Sequence, residues 1–351
     1  MIRTPEHDSR TAAAGTPPSP RRRSVVAGLA AGLVTGLAAP RGLQAQAAPP
    51  PVVLYMALAT RESDAASVAA FRDGMREHGH VEGRSYTLVE RYAKGDFVRA
   101  RAMLRELEPN AVSVFLSPGA AAVRLLLRET QGVPIVSLGL HPRGGQTDLF
   151  ASLAAPGGRV TGLSNFGEEL AAKRVQLLKE AMPRLTKVGV LHNAVDPVFR
   201  RWGEETEGEI RAQGLAALRI GLASNAEPAL QQALRDARAR GVQALVVVRD
   251  FLTSALYLPI AQASRTLGLA TVAEERRYPV AGALMSYGAS DHSQFGRAAF
   301  HVARILKGAR AAELPIEQPT RFELVVNAGT ARRLGLVLPG SLLLRADEVI
   351  Q

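Results

Sequence analysis

Several short apolar runs in this chain end in a polar or charged residue, and two of these ends could hold opposite charges. Ser117 and Gly119 follow the run AVSVFL (111–116), and Asp250 ends the run ALVVVRD (244–250). Free N–H groups at the start of a helix attract a carboxylate, and a buried aspartate attracts an ammonium group. Together these residues predict a site for a small amphoteric solute such as an amino acid.

The other candidate ligand-binding residues also lie at the end of a run or at a crossing between the two halves of the chain. The full set is Thr60, Arg61, Ser117, Gly119, Ser164, Asn165, Asn193, Asp250, Glu274 (or its neighbour Glu275) and Tyr287. Several have a structural alternative: Ser117 and Asp250 could cap helices, Arg61 could be a solvated loop charge, and Tyr287 could pack within a hinge. In the binding interpretation, the acidic residues hold the ammonium group and the tyrosine ring covers an apolar or aromatic group.

Signatures of catalysis and metal binding are weak. The chain has no cysteine, which excludes disulfides, thiol catalysis and cysteine-ligated zinc. His78 and His80 lie near a helix end, and Asp291-His292-Ser293 is better explained as a helix start than as a catalytic triad. Nucleophile-elbow, Walker and dinucleotide fingerprints do not occur. We therefore expect no cofactor, no metal and no catalysis, with a cofactor-free isomerase or hydrolase as the open alternative.

The candidate residues need strands to position them, and apolar runs predict such strands in both halves of the chain. The runs are 52–58, 86–92, 111–116 and 134–140 in the first half, and 187–193, 218–223, 244–250 and 270–275 in the second. Amphipathic helices separate the runs; in the first of them Val68, Phe71 and Met75 share one face. Continuous apolar strands alternating with helices indicate parallel sheets covered on both faces. Right-handed crossovers then give two doubly wound α/β lobes.

Three segments are predicted to connect the two lobes. They are GGRVTGLSNF (157–166), the strand GALMSYG (282–288) leading into the helix 291–308, and the strand within 319–327. Three connections restrict relative motion to hinge closure over a cleft at the carboxyl ends of the strands. The predicted lobes are 52–162 with 286–318, and 163–285 with 319–351.

The segment RRRSVVAGLAAGLVTGLAAPRGLQAQA (21–47) predicts an export signal. Arg22 and Arg23 before an apolar stretch fit the twin-arginine pattern, and Ala45-x-Ala47 supplies the small residues of a cleavage site. The stretch is short and rich in glycine for a membrane span, although an uncleaved anchor and a buried helix stay open as alternatives. We expect residues 1–47 to be removed and 48–51 to be a linker, which places the mature protein in the periplasm.

The charge of the chain argues against binding to nucleic acid. The formal net charge is +11, of which the segment 1–47 carries +4 through six arginines against Glu6 and Asp8. The remaining basic residues are spread over helix faces with few aromatic residues between them, which does not suit nucleic-acid recognition. We expect a monomer whose partner is a small-molecule solute.

Long motifs in a fixed order resemble one known family, the substrate-binding proteins of ABC transporters, in the group that includes tryptophan- and tyrosine-binding members. The motifs occupy 69–103 (beginning AAFRDGMREHG), 148–180 (DLFASLAAPGGRVTGLSNF onwards), 282–288 (GALMSYG) and 314–350 (LPIEQPTRFELVVN onwards). The resemblance runs from about Val52 to Ile350. It implies the type I periplasmic binding fold, reversible capture of a solute, and transient delivery to an ABC permease in the inner membrane.

Two departures from the family pattern lie at the expected cleft. Leu140-His141-Pro142-Arg143 stands where the family has a Gly-Asp-Pro-like turn, and Arg249-Asp250-Phe251 stands where the family often has Pro-Asp-Pro. Both add a bulky or basic side chain where the ligand is expected. A sensor that presents its solute to a membrane receptor, rather than to a permease, is the alternative that the resemblance leaves open.

Overall fold

A computed structural model describes residues 49–108, 110–140, 148–164 and 170–351. The predicted export signal lies outside these residues, as do His141 to Arg143 and the candidate ligand-binding residue Asn165. Within the described ranges the chain forms two α/β lobes, each built on one sheet. This confirms the fold class that the alternation of apolar runs and helices predicts.

The first lobe contains a sheet with helices on both faces. In chain order its elements are β1 (Val52–Ala57), α1 (Arg61–Glu77), β2 (Thr87–Tyr92), α2 (Phe97–Arg105), β3 (Val114–Pro118), α3 (Ala120–Glu129), β4 (Ile135–Leu140) and β5 (Val160–Ser164). Among the described residues the strands form a five-stranded parallel sheet in the order β2-β1-β3-β4-β5. The strand order reverses between β1 and β3, and such a switch point is where doubly wound sheets bind ligands.

Side chains of β1 alternate between two hydrophobic cores because successive residues of a strand point to opposite faces. Val53 and Tyr55 belong to the core beneath α1, and Leu54 and Met56 belong to the core beneath α2 and α3. All four side chains are almost fully buried. The apolar run is therefore continuous rather than alternating, as a sheet covered on both faces requires.

The second lobe is built in the same way around a larger sheet. Its elements are α4 (Ala171–Ala181), β6 (Lys187–Asn193), α5 (Pro197–Ala212), β7 (Ala216–Leu222), α6 (Glu227–Ala239), β8 (Ala244–Val247), α7 (Phe251–Ala255), α8 (Tyr257–Thr266), β9 (Ala270–Ala273), α9 (Arg277–Val280) and β10 (Met285–Ala289). The chain then enters α10 (Asp291–Leu306) and a 3₁₀ turn (Ala311–Glu313), and ends with β11 (Phe322–Asn327), α11 (Ala328–Arg333), α12 (Gly340–Arg345) and β12 (Glu348–Ile350). Within the described ranges the sheet order is β12-β11-β10-β9-β8-β6-β7.

The chain connects the lobes after β5, after β10 and before β11. Helix α10 packs against α1 and the first sheet, although β10 before it and β11 after it belong to the second sheet. Because the chain leaves β10 and re-enters β11 from the same edge, these two strands are antiparallel in an otherwise parallel sheet. The predicted division assigned 286–318 to the first lobe, whereas β10 pairs in the second sheet up to Ala289.

Close helix packing fixes α10 on the first lobe. A Cβ atom added at Gly74 of α1 would lie 2.5 Å from the carbonyl oxygen of Gly296 on α10. The two backbones approach so closely that this position of α1 tolerates only glycine. Asp291 and Phe295, in the first turns of α10, are thereby held at the edge of the first sheet that faces the second lobe.

No helix in the described ranges combines the length and the apolar composition needed to cross a bilayer.

Candidate functional site

A cavity of about 90 Å³ lies between the lobes at the carboxyl ends of their strands. The first lobe contributes Leu58 and Ala59 after β1, Pro118 and Gly119 at the end of β3, and residues of β4. From the second lobe come residues that follow β8 and β9. Parallel strands end at the same edge of a sheet, and the two sheets turn these edges toward each other. The cavity therefore lies where the sequence predicts the cleft.

Apolar side chains form much of the cavity wall. Phe199 in the first turn of α5, Phe251 at the start of α7 and Phe295 on α10 all line it, together with Leu58 and Leu138. Phe251 also forms an edge-to-face pair with Phe97 of α2, with ring centroids 5.3 Å apart. The cavity can thus enclose an apolar group between side chains of both lobes.

Two arginines of the second lobe reach carboxylates of the first. A nitrogen of Arg277 lies 3.7 Å from a carboxylate oxygen of Asp64, and the same nitrogen donates to the carbonyl oxygen of Ser63 over 3.1 Å. Arg249 forms an ion pair of 2.9 Å with Asp291 at the start of α10. These contacts join α1 and α10 to the second lobe across the cleft.

Glu275 contacts both of these arginines. Its carboxylate, which is almost fully buried, pairs with Arg277 and lies 3.3 Å from Arg249. Burial raises the pKa of Glu275, but Arg249 and Arg277 outweigh this effect and hold the pKa below its usual range. Glu275 is therefore an ionised partner that keeps both guanidinium groups in place.

Asp64 is the second buried carboxylate of this network. One of its oxygens accepts a hydrogen bond of 2.7 Å from the hydroxyl of Tyr55, and the other accepts one of 3.0 Å from Ser63. Burial raises the pKa of Asp64, against the opposing charge of Arg277. Loss of the arginine would therefore leave this carboxyl buried without a cation.

Asp250 lines the cavity and has a free oxygen. It caps α7: its Oδ1 accepts from the N–H of Thr253 over 2.7 Å, and the hydroxyl of Thr253 accepts from the N–H of Asp250 over 2.9 Å. Its other oxygen, Oδ2, is buried and has no hydrogen-bond partner among the described residues. Burial raises the pKa of Asp250 to about 6, with a further rise from the charge of Asp196, while Thr253 and Asn193 oppose the shift. The residue is thus a helix cap whose Oδ2 accepts no hydrogen bond of normal geometry among the described residues, although the nearby side-chain amide of Asn193 stabilises its charge.

Gly119 lines the opposite wall, at the start of α3. Its φ of +81° places it in a backbone region that glycine adopts readily and other residues rarely adopt. The next residues, Ala120 to Ala122, form the first turn of α3 and also line the cavity, and helix geometry leaves their N–H groups without intrahelical partners. This end of the helix carries about half a positive charge.

Three other predicted residues lie near the cavity wall without lining it. Ser117 is fully buried and donates to the carbonyl oxygen of Met56 over 2.7 Å. Thr60 caps α1, accepting from the N–H of Ser63 over 3.2 Å. Asn193, at the end of β6, accepts from two backbone N–H groups of the following turn, and its amide nitrogen is buried without a partner in the described part of the chain. These residues shape the strand ends that carry the site.

Four predicted residues lie away from the cavity. Arg61 is largely exposed and pairs with Glu90 on β2 over 3.2 Å. The N–H of Ser164 donates to the carbonyl oxygen of Glu317 over 2.8 Å, which joins β5 to the return segment of the hinge. Arg61 therefore occupies the position of a loop charge, its structural alternative, and Ser164 contributes to a hinge contact.

Glu274 and Tyr287 both contact one arginine of α4. The carboxylate of Glu274 lies 3.3 Å from Arg174, and the carbonyl oxygen of Tyr287 accepts from the same guanidinium over 2.9 Å. The Tyr287 ring packs near that of Phe322, with centroids 6.2 Å apart. Glu274 lines a separate groove of about 590 Å³ that also includes residues of β11 and β12.

Two residues of the cavity wall, Asp64 and Arg277, do not lie at the end of an apolar run, and the sequence pattern did not predict them. Asp64 precedes Val68 by one helical turn, so the buried face of α1 was the available signal for it. Arg277 lies four residues after β9, in a short helix that no apolar run marks. Only the fold brings the two residues together.

The fold and its cleft define a bilobal binding protein with the type I periplasmic binding fold. The profile of the ABC transporter substrate binding protein family matches residues 56–350. The chain therefore belongs to this family, which confirms the resemblance seen in the sequence motifs. A comparison with curated protein sequences gave no significant match.

Solved structures with the same fold differ in what they bind. A conserved domain protein from Vibrio cholerae is 22% identical, with a TM-score of 0.78, and the match covers 86% of this chain and all of that one. An ABC domain from Streptococcus pneumonia in complex with L-Trp is 20% identical, with a TM-score of 0.76 and the same coverage. An ABC transporter solute binding protein from Bacillus halodurans with bound myo-inositol is 12% identical, with a TM-score of 0.54, covering 82% of this chain and 99% of that one. At these levels of sequence identity, the similarity shows a shared fold and does not identify the ligand of this chain.

Proposed function

We propose that the protein is an exported solute-binding protein that captures a small amphoteric molecule, such as an amino acid, in the cleft. It delivers the molecule chemically unchanged to an ABC permease in the inner membrane. Residues 1–47 act as the cleaved signal that takes the protein to the periplasm. Membership of the substrate-binding protein family supports the transport role.

One observation supports the choice of solute most strongly: the buried oxygen of Asp250 without a partner. An ionised carboxylate in a buried wall is costly unless it is paired, and an ammonium group of the ligand would supply the missing donor. The free N–H groups at the start of α3 would donate hydrogen bonds to a carboxylate or another acceptor of the same ligand. The two sites belong to different lobes, so a ligand that uses both binds the closed protein best.

The size of the cavity suits a solute of this class. Since a water molecule needs roughly 10–15 Å³ of such volume, a cavity of about 90 Å³ has room for roughly six to nine water-sized groups. The three phenylalanine rings would cover the apolar part of the solute. A branched or aromatic side chain is therefore expected on the ligand.

Isothermal calorimetry at neutral pH with L-leucine, L-phenylalanine and L-tryptophan tests the proposal. We expect saturable heat with one site per chain, and recovery of the solute with its mass unchanged. The variant Asp73→Asn serves as a control, because Asp73 is an exposed residue of α1 outside the cavity. A folded protein that gives no heat with any of the three amino acids would overturn the proposed solute class, and conversion of the solute would overturn the transport role.

A further inference from the structure

The charges around the cavity are not balanced, and the excess is negative. Within the described residues that line or support the cavity, the cations are Arg249 and Arg277. Their carboxylate partners are Asp291, Glu275 and Asp64, at the distances given above. Both guanidinium groups are therefore engaged by protein carboxylates, and a ligand carboxylate would have to compete with these partners.

Asp250 is the carboxylate that remains. Among the described residues no arginine, lysine or histidine forms an ion pair with it, and the charge that most affects its pKa is that of another acid, Asp196. Its free oxygen is fully enclosed, since only 6% of the residue is exposed. The cavity thus contains two cations and four carboxylates, with the unpaired one in its wall.

The start of α3 offsets this excess only in part. Its N–H groups carry about half a positive charge, whereas the ligand-free site holds a full carboxylate whose desolvation disfavours the charged form. A ligand amine would neutralise the charge of Asp250, which is the larger excess. A ligand carboxylate would add to the negative charge of the cavity unless it contacts the N–H groups of α3.

We propose that the amine of the ligand is the group this site requires, and that the carboxylate of the ligand is dispensable. The ligand class is then a small organic cation with an apolar body, which includes amino acids but also the corresponding amines. This inference rests on the proposed function, because it specifies the solute that the same cleft carries. Three phenylalanines, Phe199, Phe251 and Phe295, give the apolar body its contacts.

The groups that face Asp250 support the same assignment. Asn193 at the end of β6 and Thr253 on α7 stabilise the charged carboxylate, while Asp196 at the start of α5 destabilises it. Arg249, its neighbour in sequence, is directed to Asp291 and Glu275. In the ligand-free protein a proton therefore competes for the site that the amine would occupy, and binding of an amine should strengthen as the pH rises through about 6.

Matched probe sets separate the contribution of the amine from that of the carboxylate. Each set contains an amino acid, the amine that lacks its carboxylate, and the acid that lacks its amine. The sets are L-leucine, isoamylamine and 4-methylpentanoate; L-phenylalanine, phenethylamine and 3-phenylpropionate; and L-tryptophan, tryptamine and indole-3-propionate. Calorimetry at pH 7.5 gives the affinity of each probe for the mature protein.

In the set that fits the cavity, we expect the amine to bind within about tenfold of the amino acid, and the acid to bind on the order of 100-fold more weakly or not at all. An acid that binds as well as the amino acid, with no binding of the amine, would overturn the inference and leave the solute-binding function intact. Failure of all nine probes would overturn both. The two failures are therefore distinguishable.

Asp250→Asn provides the second test. Asparagine caps helices as well as aspartate does, so α7 is retained while the negative charge is lost. We expect the affinity for the amine to fall on the order of 100-fold and the affinity for the acid to rise or stay constant. An unchanged preference for the amine in this variant would overturn the role of Asp250, and Asp73→Asn is the matched control for the loss of one surface carboxylate.

Discussion

The two lobes surround the same cavity but contribute different chemistry to it. The first lobe presents backbone N–H groups at the start of α3 and two carboxylates, Asp64 and Asp291. The second lobe presents both arginines and the unpaired Asp250. The arginines of one lobe pair with carboxylates of the other, so these charges join the lobes, whereas Asp250 and the α3 start take no part in these pairs and form the proposed ligand site. The ion pairs that join the lobes and the groups proposed to bind the ligand are therefore different residues.

The largest expected effect comes from the pairs that join the lobes. Arg277→Gln removes the cation between Glu275 and Asp64, which leaves Asp64 buried without a cation and Glu275 paired with Arg249 alone. Loss of one member of a buried ion pair typically lowers stability by about 3–5 kcal/mol. Denaturant unfolding of the ligand-free protein measures the change.

Arg276→Gln is the matched control for this variant. Arg276 is the preceding residue and pairs with Glu348, but its side chain is mostly exposed. Exposed pairs contribute about 0–1 kcal/mol, so the unfolding free energy should hardly change. Equal losses in the two variants would mean that the cleft network does not join the lobes.

Asp250 should make the free energy of unfolding depend on pH. Its pKa is about 6 in the folded protein, whereas the ordinary pKa of an aspartate, taken for the unfolded chain, is 3.8. Between pH 3.8 and 6 the folded state therefore binds more protons than the unfolded state. The contribution of Asp250 to stability is therefore lost as the pH rises from about 4 to 6, by about 3 kcal/mol in total. The test compares the unfolding free energies of wild type and Asp250→Asn from pH 4 to 7 without ligand. Parallel curves would contradict the burial of an unpaired carboxyl.

In the first lobe, we expect a change of backbone geometry at the start of α3 to lower the stability of the protein. Gly119→Ala places a side chain at a φ of +81° and a ψ of 141°, and such strain costs about 1–3 kcal/mol. A Cβ atom there meets no other atom within 4 Å, so a loss of stability would reflect the backbone alone. Thermal unfolding detects it as a lowered Tm.

Gly208→Ala is the control for the glycine variant. Gly208 lies within α5, where an added Cβ atom also meets nothing within 4 Å and φ is helical. Alanine in a helix interior is favoured over glycine by about 0.5–1 kcal/mol. The two substitutions should therefore change Tm in opposite directions, and a stabilising Gly119→Ala would contradict the strained turn.

Much of the fold could be predicted from the sequence because buried parallel strands are continuous apolar runs. The runs 187–193 and 134–140 match β6 and β4 to within one residue. The antiparallel entry of β11 and the short edge strand β12 were not predicted, since both depend on where the chain returns from the first lobe. That return is a tertiary property, fixed by the packing of α10 on α1.

The site was predictable where it follows from strand ends and not where distant residues meet. Asp250 and Gly119 were predicted because each closely follows a strand of a doubly wound sheet, and both line the cavity. Arg277 donates to the carbonyl oxygen of Ser63, 214 positions earlier in the chain. No local pattern relates such a pair, so the contacts that join the lobes require the folded structure.

The most direct test of the account is native mass spectrometry of the mature protein and of Asp250→Asn, both purified from the same cells without added solute. We expect the wild-type protein to retain a small organic cation in the cleft, seen as a mass difference that disappears on denaturation, and the variant to have lost it. A small molecule retained equally by both proteins would contradict the assignment of Asp250 as the group that selects the ligand.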